Sequence, residues 1–259
     1  MNTEPEVSDL DNLLVSGIRA LELMPTAYFL DFLRKTLENG ANPNYRLDTG
    51  ETVLHLASRG TFPEAKPVAL LLDYGAEIDA RDKLARTPAC VACWGNCYDS
   101  LHFLLKRGAA IDVKDCKGNN LLHAVILAGN DRAMDLLVGA GANVEDRNRD
   151  GYTPLHSACL LRRVRMVRLL LDLGANPTTP DNFQRTPLHH ACLSSQVEVA
   201  ALLLNAGADP SVLDESGKHP FDLVSELDVF LEQLKALLDP AAFLDLWTRD
   251  DWYRHGSWP

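Results

Sequence analysis

The sequence predicts an all-α solenoid, a stack of helix pairs repeated about every 33 residues. One phrase recurs, and its clearest copy is Gly151-Tyr152-Thr153-Pro154-Leu155-His156. Its Thr position recurs at steps of 35, 33, 33, 33 and 33 residues, as Thr52, Thr87, Asn120, Thr153, Thr186 and His219. A Gly-Ala pair keeps the same steps from Gly40-Ala41 to Gly207-Ala208. A fixed period of this length is typical of proteins whose repeats bury their apolar faces only against neighbouring repeats.

Residues 148–180 show how one repeat is built. A polar turn ends at Gly151, and Thr153 follows where a helix N-cap is needed. Pro154 suits the first helical position because the N–H that proline lacks would be unpaired there. A second apolar helix should follow over 164–171, and Gly174 should end it. Each repeat is therefore predicted to contain a turn and two helices.

This pattern resembles the ankyrin repeat, a β-turn or hairpin followed by two antiparallel helices. The resemblance covers roughly Gly40 to Asp239. It implies that the histidines of the repeated phrase are structural and bond to the turn of an adjacent repeat; these are His55, His123, His156 and His189. The second repeat has Ala89-Cys90 in place of Leu-His, so weaker bonding is expected there.

Four segments are expected along the chain. Residues 1–43 should form an N-terminal helical cap or degenerate repeat, with helices over Asp9–Met24 and Thr26–Glu38. Five repeats should occupy residues 44–213, and a more polar capping repeat should occupy 214–240. An aromatic tail is expected over 241–259. The two extra residues of the first full repeat fall within Gly60–Pro67 and should lengthen the loop between its helices.

Charge and hydropathy limit the classes of partner. The net charge of −11 argues against a general nucleic-acid surface, because such surfaces neutralise phosphates with cations. No stretch of about 18 apolar residues is present, so no membrane span is expected. The polar N-terminus lacks the features of a signal peptide. We therefore expect an intracellular protein, cytoplasmic or nuclear, that is monomeric when alone.

The cysteines and histidines do not predict a reactive site. Cys90, Cys93 and Cys97 are closely spaced, but Cys93, Cys159 and Cys192 share the position six residues after the Thr. A repeated position of this kind indicates packing, because reduced cysteine behaves as a small apolar residue. No phosphate loop, nucleophile elbow or metalloprotease motif is present. We expect no enzymatic activity, cofactor or metal site.

Partner binding is the function that the resemblance implies, along a concave face formed by turn tips and first helices. The position seven residues after the Thr, exposed in that family, holds Trp94, Leu127, Leu160 and Leu193, and Leu161 follows Leu160. The turn tips add Leu84, Tyr152 and Phe183, with Arg86, Arg149 and Arg185 nearby. An apolar stripe with a basic rim is typical of an interaction surface. The alternative is that the leucines stack on one another and extend the core.

Two weaker features are also candidates. A basic cluster could hold an acidic peptide or phosphate, or could be a solvated helix face; it contains Arg162, Arg163, Arg165 and Arg168. The tail could be a hydrophobic lid or a linear motif; its aromatic residues are Trp247, Trp252, Tyr253 and Trp258.

The leading prediction is a non-enzymatic adaptor, scaffold or stoichiometric inhibitor with a protein partner. A second possibility is the substrate-recognition subunit of a ubiquitin ligase, although no suppressor-of-cytokine-signalling box is recognisable. A third is a transcription-factor regulator similar to the ankyrin inhibitors of NF-kappa-B. The acidic charge fits that group, but its acidic tail rich in Pro and Ser is not seen.

Overall fold

The computed structural model describes residues 7–19, 26–60 and 65–238. Those residues form thirteen α-helices and one 3₁₀ turn. They contain no β-strand, and the only β-type pairing among them is an isolated bridge between Arg46 and Thr52. The predicted all-α repeat fold is confirmed. The chain divides into two compact units, unit 1 (residues 1–142) and unit 2 (residues 143–259).

Unit 1 contains eight helices among its described residues. They are α1 (Val7–Arg19), α2 (Thr26–Glu38), α3 (Val53–Arg59), α4 (Lys66–Asp73), α5 (Pro88–Trp94), α6 (Tyr98–Lys106), α7 (Leu121–Ala128) and α8 (Asp131–Gly139). Helices α3 and α5 each pack on their own second helix, α4 and α6, and on the first helix of the next repeat, α5 and α7. The core between them is fully buried and includes Phe29, Leu54, Leu71, Leu104 and Ile126.

Unit 2 repeats this arrangement. Its described elements are α9 (Pro154–Leu160), α10 (Val164–Asp172), α11 (Pro187–Leu193), α12 (Val197–Asn205), the 3₁₀ turn (Pro220–Leu223) and α13 (Leu227–Leu237). Helix α9 packs on α10 and α11, and α11 packs on α12 and the 3₁₀ turn. Small side chains such as Ala158, Cys159, Ala191 and Cys192 are fully buried in the first helices, where they permit close helix packing.

The start of α9 shows why the repeated phrase produces a helix. Thr153 is the N-cap, with extended backbone at φ −81° and ψ 167°. Its hydroxyl accepts the backbone N–H of His156 at 3.4 Å, and His156 Nδ1 accepts the backbone N–H of Thr153 at 3.2 Å. These two bonds satisfy N–H groups that have no partner inside the helix. Pro154 is the first helical residue, as the sequence predicts.

The turn before α9 requires glycine at Gly151. Its φ is +81°, and an added Cβ would lie 2.5 Å from Asn182 Oδ1 and 2.7 Å from Arg147 Nη2. Ala85 and Gln184 occupy the equivalent position of their repeats, and both have φ of +58°. These two repeats therefore carry a side chain in the left-handed region, where glycine is favoured.

The first helices and the first inter-helix loop differ in detail from the prediction. Helix α2 covers the predicted span, whereas α1 runs from Val7 to Arg19 rather than over Asp9–Met24; residues 20–25 lie outside the described residues. The connection between α3 and α4 covers 60–65, against 95–97 between α5 and α6, so the loop is longer as predicted. Residues 61–64 also lie outside the described part of the chain. Among the helices that are described, none is long and apolar enough to cross a bilayer.

Candidate protein-binding surface

The repeated histidines fasten one repeat to the next. His55 Nε2 lies 2.9 Å from the Arg86 carbonyl, His156 Nε2 lies 3.1 Å from the Arg185 carbonyl, and His189 Nε2 lies 3.2 Å from the Lys218 carbonyl. Because Nδ1 of each ring accepts a backbone N–H, the proton must sit on Nε2, which then donates to the carbonyl. The structural role that the resemblance implied is confirmed for these three rings.

The third repeat keeps the bond at the helix start but has Asn120 in place of threonine, and the Asn120 N–H donates to His123 Nδ1 at 3.4 Å. The second repeat lacks the histidine. His123 Nδ1 lies 2.6 Å from Oδ1 of Asn120, the N-cap of α7. In the second repeat, Cys90 stands where the ring would be, and only its backbone N–H reaches the Thr87 hydroxyl, at 3.3 Å. A thiol cannot supply both the acceptor and the donor that imidazole provides. The weaker hydrogen bonding expected in the second repeat therefore has a physical reason, which is the absence of the imidazole ring.

The thiols of the first helices are packing groups. Cys93, Cys159 and Cys192 are fully buried, as are Ser58 and Ile126 at the equivalent positions, so the packing prediction is confirmed. Burial raises the pKa of the Cys90 thiol to about 12 and raises those of the other three thiols well above the ordinary value. These thiols stay protonated and unreactive at neutral pH. The described residues contain no group of three or more His, Cys, Asp or Glu side chains arranged to hold a metal.

In unit 1, two large apolar side chains of the predicted stripe are exposed. Trp94, the last residue of α5, is 41% exposed, and Leu84 in the preceding turn is 49% exposed. Leu127 on α7 is half-buried. Arg86 makes ion pairs with the buried carboxylates of Asp82 at 2.6 Å and Glu51 at 3.3 Å. Its guanidinium therefore already has anionic partners within the fold.

In unit 2, the apolar residues of the predicted stripe are more exposed. Leu160 and Leu193 end α9 and α11 and are 42% and 48% exposed, and Phe183 in the turn before α11 is 50% exposed. Leu161 and Tyr152 are half-buried. Leu160 and Leu193 occupy the same position of two consecutive repeats, and neither is part of the buried core.

The basic residues of unit 2 differ in how far they are engaged. Arg149 is exposed, whereas Arg185 Nε lies 3.2 Å from Oδ2 of the buried carboxylate of Asp214. Arg162, Arg163, Arg165 and Arg168 are all exposed. The aromatic tail residues Trp247, Trp252, Tyr253 and Trp258 lie outside the described residues.

A buried His–Asp pair below this surface was not found from the sequence. His190 Nε2 lies 2.9 Å from Asp181 Oδ2, and both side chains are almost fully buried. The other oxygen of Asp181 accepts the backbone N–H groups of Phe183 and Arg185. Burial alone would raise the pKa of Asp181, but hydrogen bonds from His190 and these N–H groups hold it below its ordinary value. Asp181 thus fixes the turn that presents Phe183.

Tyr152 covers this pair. Its ring stacks on His156 at 5.9 Å between centroids and meets the edge of His190 at 5.2 Å. At the position of His190, the other repeats have Leu56, Val91, Ala124 and Ser157. A titratable side chain at this repeat position, His190, is the sequence feature that could have indicated the pair. The sequence does not show, however, that the side chain of Asp181 faces His190.

Comparison with known proteins identifies the repeats. The family model described as ankyrin repeats matches residues 23–115, 99–181 and 121–214. A transient receptor potential channel of subfamily A from Drosophila melanogaster is 40% identical over 78 residues, which is 30% of this chain and 6% of that protein. The tyrosine-protein kinase HTK16 of Hydra vulgaris is 36% identical over 92 residues, 34% of this chain and 12% of that protein. The match thus spans only a small part of these relatives.

Two solved structures share the fold over most of this chain. The ankyrin repeat domain of human ASB11 has a TM-score of 0.73 and 26% identity, covering 89% of this chain and 98% of that one. The ankyrin repeat domain of Bcl-3 has a TM-score of 0.71 and 24% identity, covering 85% and 97%. The family matches together extend over residues 23–214, more than half of the sequence, and this chain therefore belongs to the ankyrin repeat family.

Proposed function

We propose that this chain is a non-enzymatic module that binds a protein partner and acts as an adaptor, scaffold or stoichiometric inhibitor. Ankyrin repeats are protein–protein interaction modules, and repeats make up most of the chain. The likeness to other ankyrin domains supports a protein partner and does not select among these roles, because the fold alone does not fix function.

One observation carries the proposal. Leu160 and Leu193 are exposed at the same position of consecutive repeats, and Phe183 is exposed in the turn between them. Large apolar side chains grouped in this way are typical of interaction sites, where burial contributes about 25 cal/mol per Å². The remaining members of the proposed surface of unit 2 are Arg149, Tyr152, Leu161 and the paired Arg185.

Unit 1 has the same kind of residue at the matching positions. Trp94 and Leu84 are exposed, and tryptophan is among the residues that most often dominate interface energies. We propose that these two residues, with Leu127 and the paired Arg86, also contact a partner.

A pair of double variants tests the proposal. L160S with L193S should abolish capture of the partner from a lysate, as measured by affinity purification and mass spectrometry. The matched control is L173S with L213S, which also replaces two exposed leucines of unit 2 but lies outside the proposed surface. Both variants should keep the thermal midpoint within about 4 °C, since each surface substitution changes stability by about 0.5 kcal/mol or less.

Three outcomes would contradict the proposal. If both variants capture the partner equally well, the leucines are not contacts. If both lose it equally, the effect is not specific to this surface. If only L160S with L193S unfolds, these leucines stabilise the fold, as the core alternative states.

The proposed setting is the cytosol or nucleus, with the chain monomeric before it meets its partner. Cys159 and Cys192 are free thiols, as is usual in reducing compartments. Light scattering of the purified chain measures its oligomeric state, and a stable dimer would refute the proposal that it is monomeric.

A further inference from the structure

A basic cluster adjoins the exposed leucines of unit 2. Arg162 and Arg163 follow Leu160 and Leu161 in the connection between α9 and α10. Arg165 and Arg168 lie three residues apart on α10, so they share one helix face. All four guanidinium groups are exposed, in a chain whose net charge is −11. The cluster is therefore a local reversal of the overall charge.

Arg162 connects the cluster to Leu193. Its Nη2 donates to the carbonyl of Ser194, the residue after Leu193, at 2.5 Å. Arg162 has φ of +57°, and the equivalent residues of three other repeats, Asn96, Gly129 and Ser195, also have positive φ. The bond to Ser194 places this guanidinium at the residue next to Leu193, so a basic group and an exposed apolar residue lie near one another in unit 2.

Two of these cations stand at the start of α10. Arg163 is the N-cap of α10 and Arg165 is the second residue of that helix. A helix N-terminus carries partial positive charge and is stabilised by anions, not cations. Arg163 has no ion pair with any described residue, and Arg168 approaches Glu198 only to 4.0 Å, with both side chains well exposed. Positive charge therefore remains available at this surface.

We propose that this surface binds an acidic segment of the protein partner, one in which apolar side chains stand next to Asp or Glu. We name it the Arg–Leu surface and define it as Leu160, Arg162, Arg163, Arg165, Arg168 and Leu193. The apolar side chains of the segment cover the leucines, and its carboxylates pair with the guanidinium groups, which bind carboxylates in bidentate geometry. The inference rests on the proposed function and specifies the chemistry of the partner.

Binding of short labelled peptides tests this inference by fluorescence polarisation. The probe is a fluorescein-labelled peptide of alternating Leu and Glu, compared with a Leu/Lys peptide and a Ser/Glu peptide. The Leu/Glu peptide should bind at least about tenfold more tightly than either, because it alone offers both apolar and acidic groups. The double variant R163E with R165E should weaken its binding by about tenfold or more.

The control variant is K106E with K117E, which changes the net charge equally by replacing two exposed lysines of unit 1. It should change peptide affinity by less than about twofold, since exposed charges outside a contact are screened. R163E with R165E should remain folded because glutamate is favoured in the first turn of a helix. Circular dichroism checks both variants.

Two results would overturn the inference. One is a Leu/Glu peptide that binds no better than the Leu/Lys peptide, or equally well to R163E with R165E. The other is an oligothymidine strand that binds as tightly as the Leu/Glu peptide, which would indicate a general polyanion site. If R163E with R165E still captures the natural partner while L160S with L193S does not, the proposed function stands and this inference fails.

Discussion

Acidification should destabilise the fold through the histidines that join neighbouring repeats, and His156 is the clearest case. Burial and the nearby His190 lower the pKa of His156 from 6.5 to about 4, against the raising effect of its bond to the Arg185 carbonyl. Protonation would place a proton on Nδ1, which accepts the Thr153 N–H, and would put a charge in a buried site. The folded protein therefore keeps this ring neutral.

The sign and size of the effect follow from linkage. Between pH 6.5 and about 4 the unfolded chain binds a proton at this ring that the folded chain does not, so stability falls as pH falls. At about 1.4 kcal/mol per pH unit, His156 should cost about 2 kcal/mol at pH 5 and about 3 kcal/mol below pH 4. The full contribution of the neutral His156 ring to the free energy of unfolding is present above pH 6.5. The pKa values of His55 and His189 are also lowered, first by burial, and act in the same direction.

Urea unfolding at pH 7 and pH 5, followed by circular dichroism at both values, measures this effect. The variant H156Q removes the titrating ring, so its free energy of unfolding should depend less on pH than that of the wild type, by about 2 kcal/mol between the two conditions. At pH 7 the variant should itself be less stable, because the Arg185 carbonyl or the Thr153 N–H loses its partner. An identical pH dependence in the two proteins would refute the assignment of the neutral ring.

Two further predictions concern departures from the repeat pattern. C90H should raise the free energy of unfolding in urea by about 0.5–2 kcal/mol, because imidazole can bond to the Thr87 N–H and to the Asn119 carbonyl, as its counterparts do in other repeats; a destabilised variant would show that this site has no room for the ring. G151A should cost at least about 2 kcal/mol more than G174A in the same assay, because both have positive φ but only Gly151 faces atoms within 3 Å of an added Cβ. Equal losses in the two glycine variants would contradict this reading of the turn.

The helix starts could be predicted from the sequence because their determinants are local. Thr153 is the N-cap and Pro154 the first residue of α9, and the cap depends only on bonds within three residues. Because the phrase recurs 33 residues later, Thr186 and Pro187 start α11 in the same way. The bond from His156 to the next repeat followed from the resemblance, since it reaches a backbone carbonyl that every repeat supplies.

Side-chain pairing between repeats could not be predicted in the same way. Arg86 and Arg185 were expected at the rim of the surface, yet they pair with Glu51 and Asp214, which lie 35 and 29 residues away. The partnership of His190 with Asp181 likewise depends on how a turn folds over its own helix. The period gives the position of each residue in its repeat, but these contacts depend on side-chain rotamers that the period does not determine.

Hydrogen–deuterium exchange of the chain with and without its captured partner tests the central claim most directly. The account predicts slower exchange in the complex for segments 152–162 and 183–194, which carry the exposed leucines and Phe183. It also predicts little change in α13, which lies outside the proposed surface. Protection confined to α13 or to other segments, with 152–162 and 183–194 unchanged, would contradict the account.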